Sequence, residues 1–120
     1  MCRRVFRSVA AGGGQVPDAE DYSDRMAELQ KMRVALVILT SQETSKLLSR
    51  RQRVAGKEIE VMCAERDLAA AGDGDRTELD ALCQQDATLR KALHDTEADI
   101  ERLEGLMARV NADIAALCQA

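Results

Sequence analysis

The residues best suited to chemistry are carboxylates in the last third of the chain. Glu97, Glu101 and Glu104 follow one another at intervals of four and three residues, which places them on one face of a helix. Paired carboxylates can act as general acid and general base in catalysis. On an exposed helical face, however, such a row is usually a set of solvated charges, and we expect this row to be solvated.

The single histidine and the acidic residues do not form a metal-binding pattern. No CxxC or HExxH sequence occurs, and His94 has no ligand at a matching spacing. The stretch "DGDRTE" is not a calcium loop, because counting from Asp73 gives Glu78 at position six and Gln84 at position twelve. The EF-hand needs glycine and glutamate there. With no GxGxxG or Walker sequence either, we expect neither metal nor cofactor.

The four cysteines are Cys2, Cys63, Cys83 and Cys118. Cys63 and Cys83 lie ten residues on either side of Asp73, so a chain that folds back there can bring the two thiols together in an oxidising compartment. The alternative is a set of reduced thiols that pack as small apolar groups. The sequence leaves both states open.

The composition predicts that long helices carry these residues. The chain has 120 residues, of which 46% are hydrophobic, 32% charged and 2% aromatic. It lacks the β-branched and aromatic density of strands, and helix-forming residues dominate after residue 20. Helices that pack along a seam need few aromatic residues. We therefore predict an all-α fold, in which an active-site pocket is hard to build from two helices, and we expect no enzymatic activity.

A boundary lies near the N-terminus. The first seventeen residues, "MCRRVFRSVAAGGGQVP", contain three arginines, no acid, a glycine run and a proline. We predict a flexible leader over residues 1–19 and a helical domain over residues 20–120. The leader is either a disordered extension or, over residues 1–15, a mitochondrial presequence.

The helical domain is predicted to be an antiparallel hairpin. The first helix covers about residues 22–71, the turn residues 72–76 and the second helix about residues 77–119. Glycine at position 72 suits a helix C-cap, and the short connection places the two helices antiparallel. A capping-box pattern at 40–43, "TSQE", allows a break in the first helix, but without glycine or proline beside it we favour one continuous or slightly bent helix. If residues 20–40 fold back there, the hairpin becomes a three-helix bundle.

The second helix has a regular heptad pattern of apolar residues. With a at Leu79, ten of twelve a and d positions over six heptads are apolar, which is typical of a coiled coil. The exceptions, Asp86 and Thr96, either fix the register or face solvent. The ten apolar seam residues are Leu79, Leu82, Leu89, Leu93, Ile100, Leu103, Met107, Val110, Ile114 and Leu117.

The first helix is less regular. Its clearest repeat is Leu47, Val54, Val61 and Leu68, but two of the three positions that lie three residues after these are Arg50 and Lys57. This seam is therefore half polar. An apolar stripe nearer the start of the helix consists of Met26, Leu29, Met32, Leu36 and Leu39.

The net charge of −4 is unevenly distributed. Residues 41–56 carry four basic residues against Glu43, whereas residues 78–120 carry nine acidic residues against four basic ones. The basic cluster is short and has no interleaved aromatic residues, so we do not expect nucleic acid as a partner. No run approaches the ~18 apolar residues that span a membrane. The most apolar stretch, "VALVILT" (34–40), is either a core segment or an exposed contact.

Three stretches carry a resemblance to a known family. They are "LTSQETSKLLSR" (39–50), "DGDRTEL" (73–79) and "LHDTEADIERLEGLM" (93–107). Over about residues 39–110 the chain resembles tubulin-binding cofactor A, whose members are small all-helical chaperones for β-tubulin. They have a long first helix, an acidic Asp-Gly turn and a leucine-bearing second helix.

The resemblance implies a cytoplasmic, microtubule-associated protein that binds β-tubulin and holds it before heterodimer assembly, without catalysis or nucleotide. The contacts with the client would lie off the packed seam, on a basic band of the first helix and an acidic face of the second. The candidate contact residues are Arg50, Arg51, Arg53, Glu97, Glu101 and Glu104.

The alternative function is structural. The half-polar seam of the first helix and the apolar "VALVIL" stretch both favour a coiled-coil scaffold or an assembly subunit of a larger complex, which would be mitochondrial if the leader is a presequence. A homodimer that pairs through the second helix is a further possibility.

Overall fold

The computed structural model describes residues 19–72 and 75–119, and over these ranges the fold is an antiparallel helical hairpin. Helix α1 runs from Ala19 to Ala71 and helix α2 from Thr77 to Gln119, and the described residues contain no strand. The predicted all-α class and hairpin are confirmed. Most of the predicted leader and the middle of the turn, residues 73 and 74, lie outside the described ranges.

Helix α1 is continuous through the predicted capping box, so a separate third helix from residues 20–40 is wrong. A capping box requires its first residue to leave the helix, and here neither glycine nor proline stands nearby to favour that break. Thr40 and Glu43 are instead half-buried helical residues. The helix also continues through Gly56.

The hairpin divides into two packing units, each built from both helices. Unit 1 joins α1 up to Thr40 with α2 from Arg102 onwards, and unit 2 is Ser41–Glu101. The core of unit 1 contains the buried Leu29, Leu36, Leu103 and Val110, against which Met107, Ile114 and Leu117 pack. In unit 2 the buried apolar residues are Val54 and Leu79.

Helix α1 presents a single heptad seam along its length. With a at Leu47 and d at Arg50, each a and d position from 22 to 68 is buried or half-buried, apart from the exposed Arg33. The predicted apolar stripe near the start of α1 is therefore partly wrong. Leu29 and Leu36 lie in the seam, but Met32 and Leu39 are 45% and 46% exposed.

The seam of α2 lies where the heptads place it. The ten apolar seam residues and the two polar ones are all buried or half-buried. Thr96 is fully buried, so it does not face solvent. Because this stripe packs against α1 within the units, a homodimer through the second helix would lack a free seam.

Two capping interactions flank the turn. Gly72 has a φ of 86°, a left-handed conformation that favours glycine, and its N–H donates to the Leu68 carbonyl oxygen at 3.2 Å. At the start of α2, Asp75 Oδ1 accepts hydrogen bonds from the Thr77 backbone N–H at 2.9 Å and from the Thr77 hydroxyl at 2.6 Å. Local sequence chemistry therefore ends one helix and starts the next.

The cap at Asp75 gives the start of α2 a pH dependence. The Thr77 hydroxyl and then the Thr77 N–H lower the pKa of Asp75 from its ordinary 3.8, because both hydrogen bonds favour the carboxylate. A depressed pKa contributes stability above pH 3.8, and that contribution is lost as the pH falls through the lower folded-state value. A carboxyl-carbon NMR titration should show this lowered pKa, and Thr77→Val should move it back towards 3.8. An unchanged titration in Thr77→Val would contradict the assignment.

Candidate partner-binding surfaces

A polar layer crosses the seam of unit 2 at Arg50. The Arg50 Nη1 donates to the Thr96 hydroxyl oxygen and, at 3.3 Å, to the Ala92 carbonyl oxygen. The Thr96 hydroxyl in turn donates to the same carbonyl at 3.0 Å. Arg50 is half-buried and engaged within the chain, so we remove it from the candidate contacts for a partner.

A second polar cluster joins the helices near the middle of unit 2. The Arg90 Nε donates to Asp86 Oδ2 at 2.8 Å, and its Nη2 lies 3.6 Å from Glu58 Oε2. The pairing with Asp86, and then with Glu58, raises the pKa of Arg90. The other carboxylate oxygen of Asp86, Oδ1, is buried and has no hydrogen-bond partner among the described residues. Both polar positions of the α2 seam are thus tied to charged side chains.

The remaining candidate contact residues are exposed. Arg51 Nη2 lies 3.8 Å from Glu97 Oε2, so the predicted basic band and acidic face meet within unit 2 at this pair. A long, exposed ion pair contributes little to stability and separates easily. Arg53, Glu101 and Glu104 are exposed on the surface. The structure brings only Arg51 and Glu97 together among these five, and their role in partner binding stays a prediction.

The largest exposed apolar group in unit 1 surrounds the "VALVIL" stretch. From Met32 to Leu39, the one polar residue is Arg33. Only Leu36 of this segment is buried. A helix that is apolar on nearly all of its faces is normally covered on all of them. The residues that stay exposed, by 45% to 60%, are Met32, Val34, Val37, Ile38 and Leu39.

A groove runs along this apolar segment. It has a volume of about 330 Å³, and its lining includes Leu36 and Val110 from the core together with the more exposed Met32 and Leu106. Arg109 and Asp113 complete it with one positive and one negative side chain. Such an apolar groove with a few charged groups at its side is suited to the apolar face of a partner helix.

Cys63, Cys83, Cys118 and His94 do not form a cluster in the part of the chain that the structure describes. Cys63 and Cys83, whose pairing the sequence left open, are exposed and carry free thiols, and His94 is exposed. Cys118 is half-buried, with its Sγ 3.8 Å from the Tyr22 hydroxyl oxygen. Within residues 19–72 and 75–119, no three His, Cys, Asp or Glu side chains are grouped to hold a metal ion.

Comparison with known proteins finds no relative of this chain. No protein-family model, no curated protein and no solved structure matches this chain. The resemblance to tubulin-binding cofactor A therefore stays a prediction. In the part of the chain that the structure describes, no helix combines the length and apolar character needed to cross a bilayer.

Near the start of α1 the predicted apolar stripe coincides with the packing face only at Met26, Leu29 and Leu36, although the sequence contains the repeat that marks the full seam. Counting back in sevens from Leu47 gives Thr40, Arg33 and Met26, and counting back from Arg50 gives Glu43 and then the core leucines. The polar residues in these series hide the repeat. Met32 and Leu39, next to Arg33 and Thr40 in the sequence, are more hydrophobic than these two seam residues, yet they lie outside the seam and stay exposed.

Proposed function

We propose that this chain is a protein-binding helical module whose unit 1 holds a helix of a partner protein. One observation carries the proposal: α1 is apolar at seven of the eight positions from Met32 to Leu39, and the hairpin covers only one of them well. A contiguous exposed apolar group of this kind marks an interaction site rather than ordinary surface.

The geometry suits a helix-in-groove complex. An amphipathic helix laid along the outward side of α1 would place its apolar residues against Val34, Ile38 and Ala35, at the edge of the groove that Ala35 and Met32 line. Covering these side chains gains about 25 cal/mol for each Å² of apolar surface removed from water. Arg109 and Asp113 offer opposite charges that would orient the helix. Binding of this kind requires neither catalysis nor a nucleotide.

Two identities for the partner follow from the sequence. The resemblance around the turn and the second helix makes β-tubulin the first client to test, with the chain acting as a tubulin-folding cofactor. The exposed apolar segment favours the alternative, a scaffold or assembly subunit whose groove is permanently filled by another subunit of a larger complex.

A charge placed in the exposed apolar segment should abolish partner binding. We expect Ile38→Glu to lower the amount of partner captured by the immobilised full chain at least tenfold, because an unpaired carboxylate buried in an apolar contact costs well over 1.4 kcal/mol. Ile38 is 52% exposed, so the hairpin should keep its helical circular dichroism. The probes are purified β-tubulin, α-tubulin as the specificity control, and a cell extract analysed by quantitative mass spectrometry.

The matched control is Ala112→Glu, which adds the same charge at an exposed position of α2 in unit 1. Capture of β-tubulin, but not α-tubulin, by the wild type and Ala112→Glu would support the chaperone. Loss of other proteins specifically in Ile38→Glu would support the scaffold. If Ile38→Glu captures the same proteins in the same amounts as the wild type, the apolar segment is not the binding surface.

A further inference from the structure

The outward side of α1 carries no charge between residues 41 and 63 of unit 2, and its first charged outward residue after these is Arg66. In the heptad of α1 the positions b, c and f point away from the seam, where a two-helix hairpin normally carries its charged residues. Between residues 80 and 101 of α2 there are ten b, c and f positions. Four of them are charged: Asp80, Lys91, Asp95 and Glu101. The b, c and f residues of α1 between 41 and 63, here called the outer face, are all uncharged and exposed: Ser41, Gln42, Ser45, Leu48, Ser49, Gln52, Ala55, Gly56, Ile59, Met62 and Cys63.

Three large apolar residues stand on the outer face. Leu48, Ile59 and Met62 are 55%, 61% and 56% exposed. Between them lie only small or uncharged polar residues. The outer face therefore has the composition of a packing face and the exposure of a solvent face.

Neither the backbone conformation nor a close contact among the described residues requires glycine at position 56. A Cβ added there would meet nothing within 4 Å, and its φ is not positive. Glycine in a helix interior costs about 1 kcal/mol relative to alanine. Together with Ala55, it forms the flattest part of the outer face. Glycine is favoured where another backbone must approach closely.

The charges that flank the outer face are separated along the helix. The e and g positions on its two sides are basic in the first half, at Lys46, Arg51 and Arg53, and acidic in the second half. The acidic residues there are Glu58, Glu60, Glu65 and Asp67. Gly56 stands near the boundary between the two halves.

We propose that a second copy of this chain packs antiparallel on the outer face, about a two-fold axis at Ala55 and Gly56. In this register Leu48 lies beside the partner's Met62 and Gln52 beside the partner's Ile59. The small residues at the axis let the two copies of α1 approach closely. A two-fold interface uses the same surface on both copies, so the apolar layer of Leu48 and Met62 forms twice.

The same register pairs the flanking charges on both sides. Arg53 meets the partner's Glu60 and Lys46 meets the partner's Asp67 on one side of the face, and Arg51 meets the partner's Glu58 on the other. In a parallel dimer, the basic half of one α1 would instead lie beside the basic half of the other α1, and the two would repel each other. The charge pattern therefore favours the antiparallel pair.

The interactions that these residues make within the chain are easily exchanged. Arg51–Glu97 at 3.8 Å and Arg90–Glu58 at 3.6 Å are long, exposed ion pairs of little energy. The pair between Lys57 and Glu60, at 2.6 Å, joins neighbouring turns of the same helix and leaves the second Glu60 oxygen for another contact. The proposed dimer uses unit 2 and does not rest on partner binding by unit 1, so either can fail without the other.

Sedimentation equilibrium of the full chain at micromolar concentration tests the proposal. We expect a dimer, and Gly56→Leu should raise its Kd on the order of a hundredfold, because the new side chain meets its own copy at the axis and separates the helices. The monomer should keep its helicity, since leucine is a better helix former and the site is open. Gly105→Leu, at an equally open position on α2, is the matched control and should leave the Kd unchanged.

A charge exchange provides the second variant. Arg53→Glu should raise the Kd about tenfold because it creates two like-charge contacts with Glu60, one on each side of the axis. Combining it with Glu60→Arg should restore the Kd to within about threefold. Lys91→Glu on α2 serves as the control for the change in net charge. A wild type that stays monomeric at 100 μM, or variants that dimerise like the wild type, would overturn the proposal.

Cross-linking tests the orientation. In a chain with Cys2, Cys83 and Cys118 replaced by serine, Ser49→Cys should form a disulfide with the partner's Cys63 on mild oxidation, since the antiparallel register places these two positions side by side. Peptide mapping identifies the bond. A cross-link between the two copies of Cys63 without the Ser49→Cys change would indicate a parallel pair and reject this arrangement.

Discussion

Leu29→Ala is expected to lower the free energy of unfolding by about 3 kcal/mol, the largest effect of any single truncation in unit 1. Leu29 is 1% exposed and belongs to the core cluster with Leu36, Leu103 and Val110. Removing three buried carbon atoms loses their transfer free energy and leaves a cavity that the surrounding side chains fill only in part. Urea denaturation followed by circular dichroism measures the change.

Leu39→Ala is the matched control, since it makes the same substitution in the same helix. Leu39 is 46% exposed, so we expect a loss below about 1 kcal/mol. The comparison tests the register of α1 directly, because sequence reasoning placed both leucines in one stripe. Equal losses at the two positions, or a larger loss at Leu39, would show that α1 turns a different face towards α2.

The polar layer of unit 2 should give the second large effect. Thr96→Val removes the acceptor of Arg50 while keeping the volume of the side chain, and we expect a loss of about 1–3 kcal/mol. Thr96 is fully buried, and Arg50 would keep only the Ala92 carbonyl as an acceptor, at 3.3 Å. The cost arises because a half-buried guanidinium is left with donors that neither water nor protein satisfies well.

Replacing both members of the layer should reverse this loss. We expect Arg50→Leu combined with Thr96→Val to be at least as stable as the wild type, because no charge or hydroxyl then has to be desolvated. Arg50→Leu alone provides the fourth corner of a double-mutant cycle, and Thr96 keeps its bond to the Ala92 carbonyl in that variant. Additive losses, with no coupling between the two positions, would show that the Arg50–Thr96 contact contributes nothing.

This cycle also bears on what the layer does. A polar residue in a seam can fix the alignment of two helices at a cost in stability. The Arg50–Thr96 contact pairs one position of α1 with one position of α2. A double variant that is more stable but less uniform in its amide NMR spectrum would assign the alignment of unit 2 to this layer.

Much of the fold could be predicted because the seam positions of α2 are far more hydrophobic than its other positions along the whole helix. Ten of its twelve a and d positions are apolar and most of its other positions are charged or small, so one face is strongly favoured to pack. The end of the first helix could also be predicted, because the left-handed conformation of Gly72 depends on few neighbouring residues. Arg50 was predicted both in the half-polar seam of α1 and among the surface contacts, and the structure decides for the seam, where its guanidinium reaches a buried hydroxyl.

The candidate binding surfaces were less accessible to sequence reasoning. The exposed segment from Met32 to Leu39 was recognised as apolar, but whether it forms core or contact depends on which side of α1 meets α2. The outer face of unit 2 is visible only after the seam has been placed, because its distinguishing feature is the lack of charge at outward positions. Neither surface carries a motif.

The sequence by itself determined that this chain forms two helices joined at Gly72, with the leucine and isoleucine stripe of α2 turned inward, because propensity, capping and heptad spacing act over a few residues. Only the tertiary structure decided which side of α1 receives that stripe. Around Met32–Leu39 the helix is apolar on nearly every side, and farther along its seam contains Arg50 and Lys57. Hydrophobicity then no longer separates inside from outside, and the packing of α2 makes the choice.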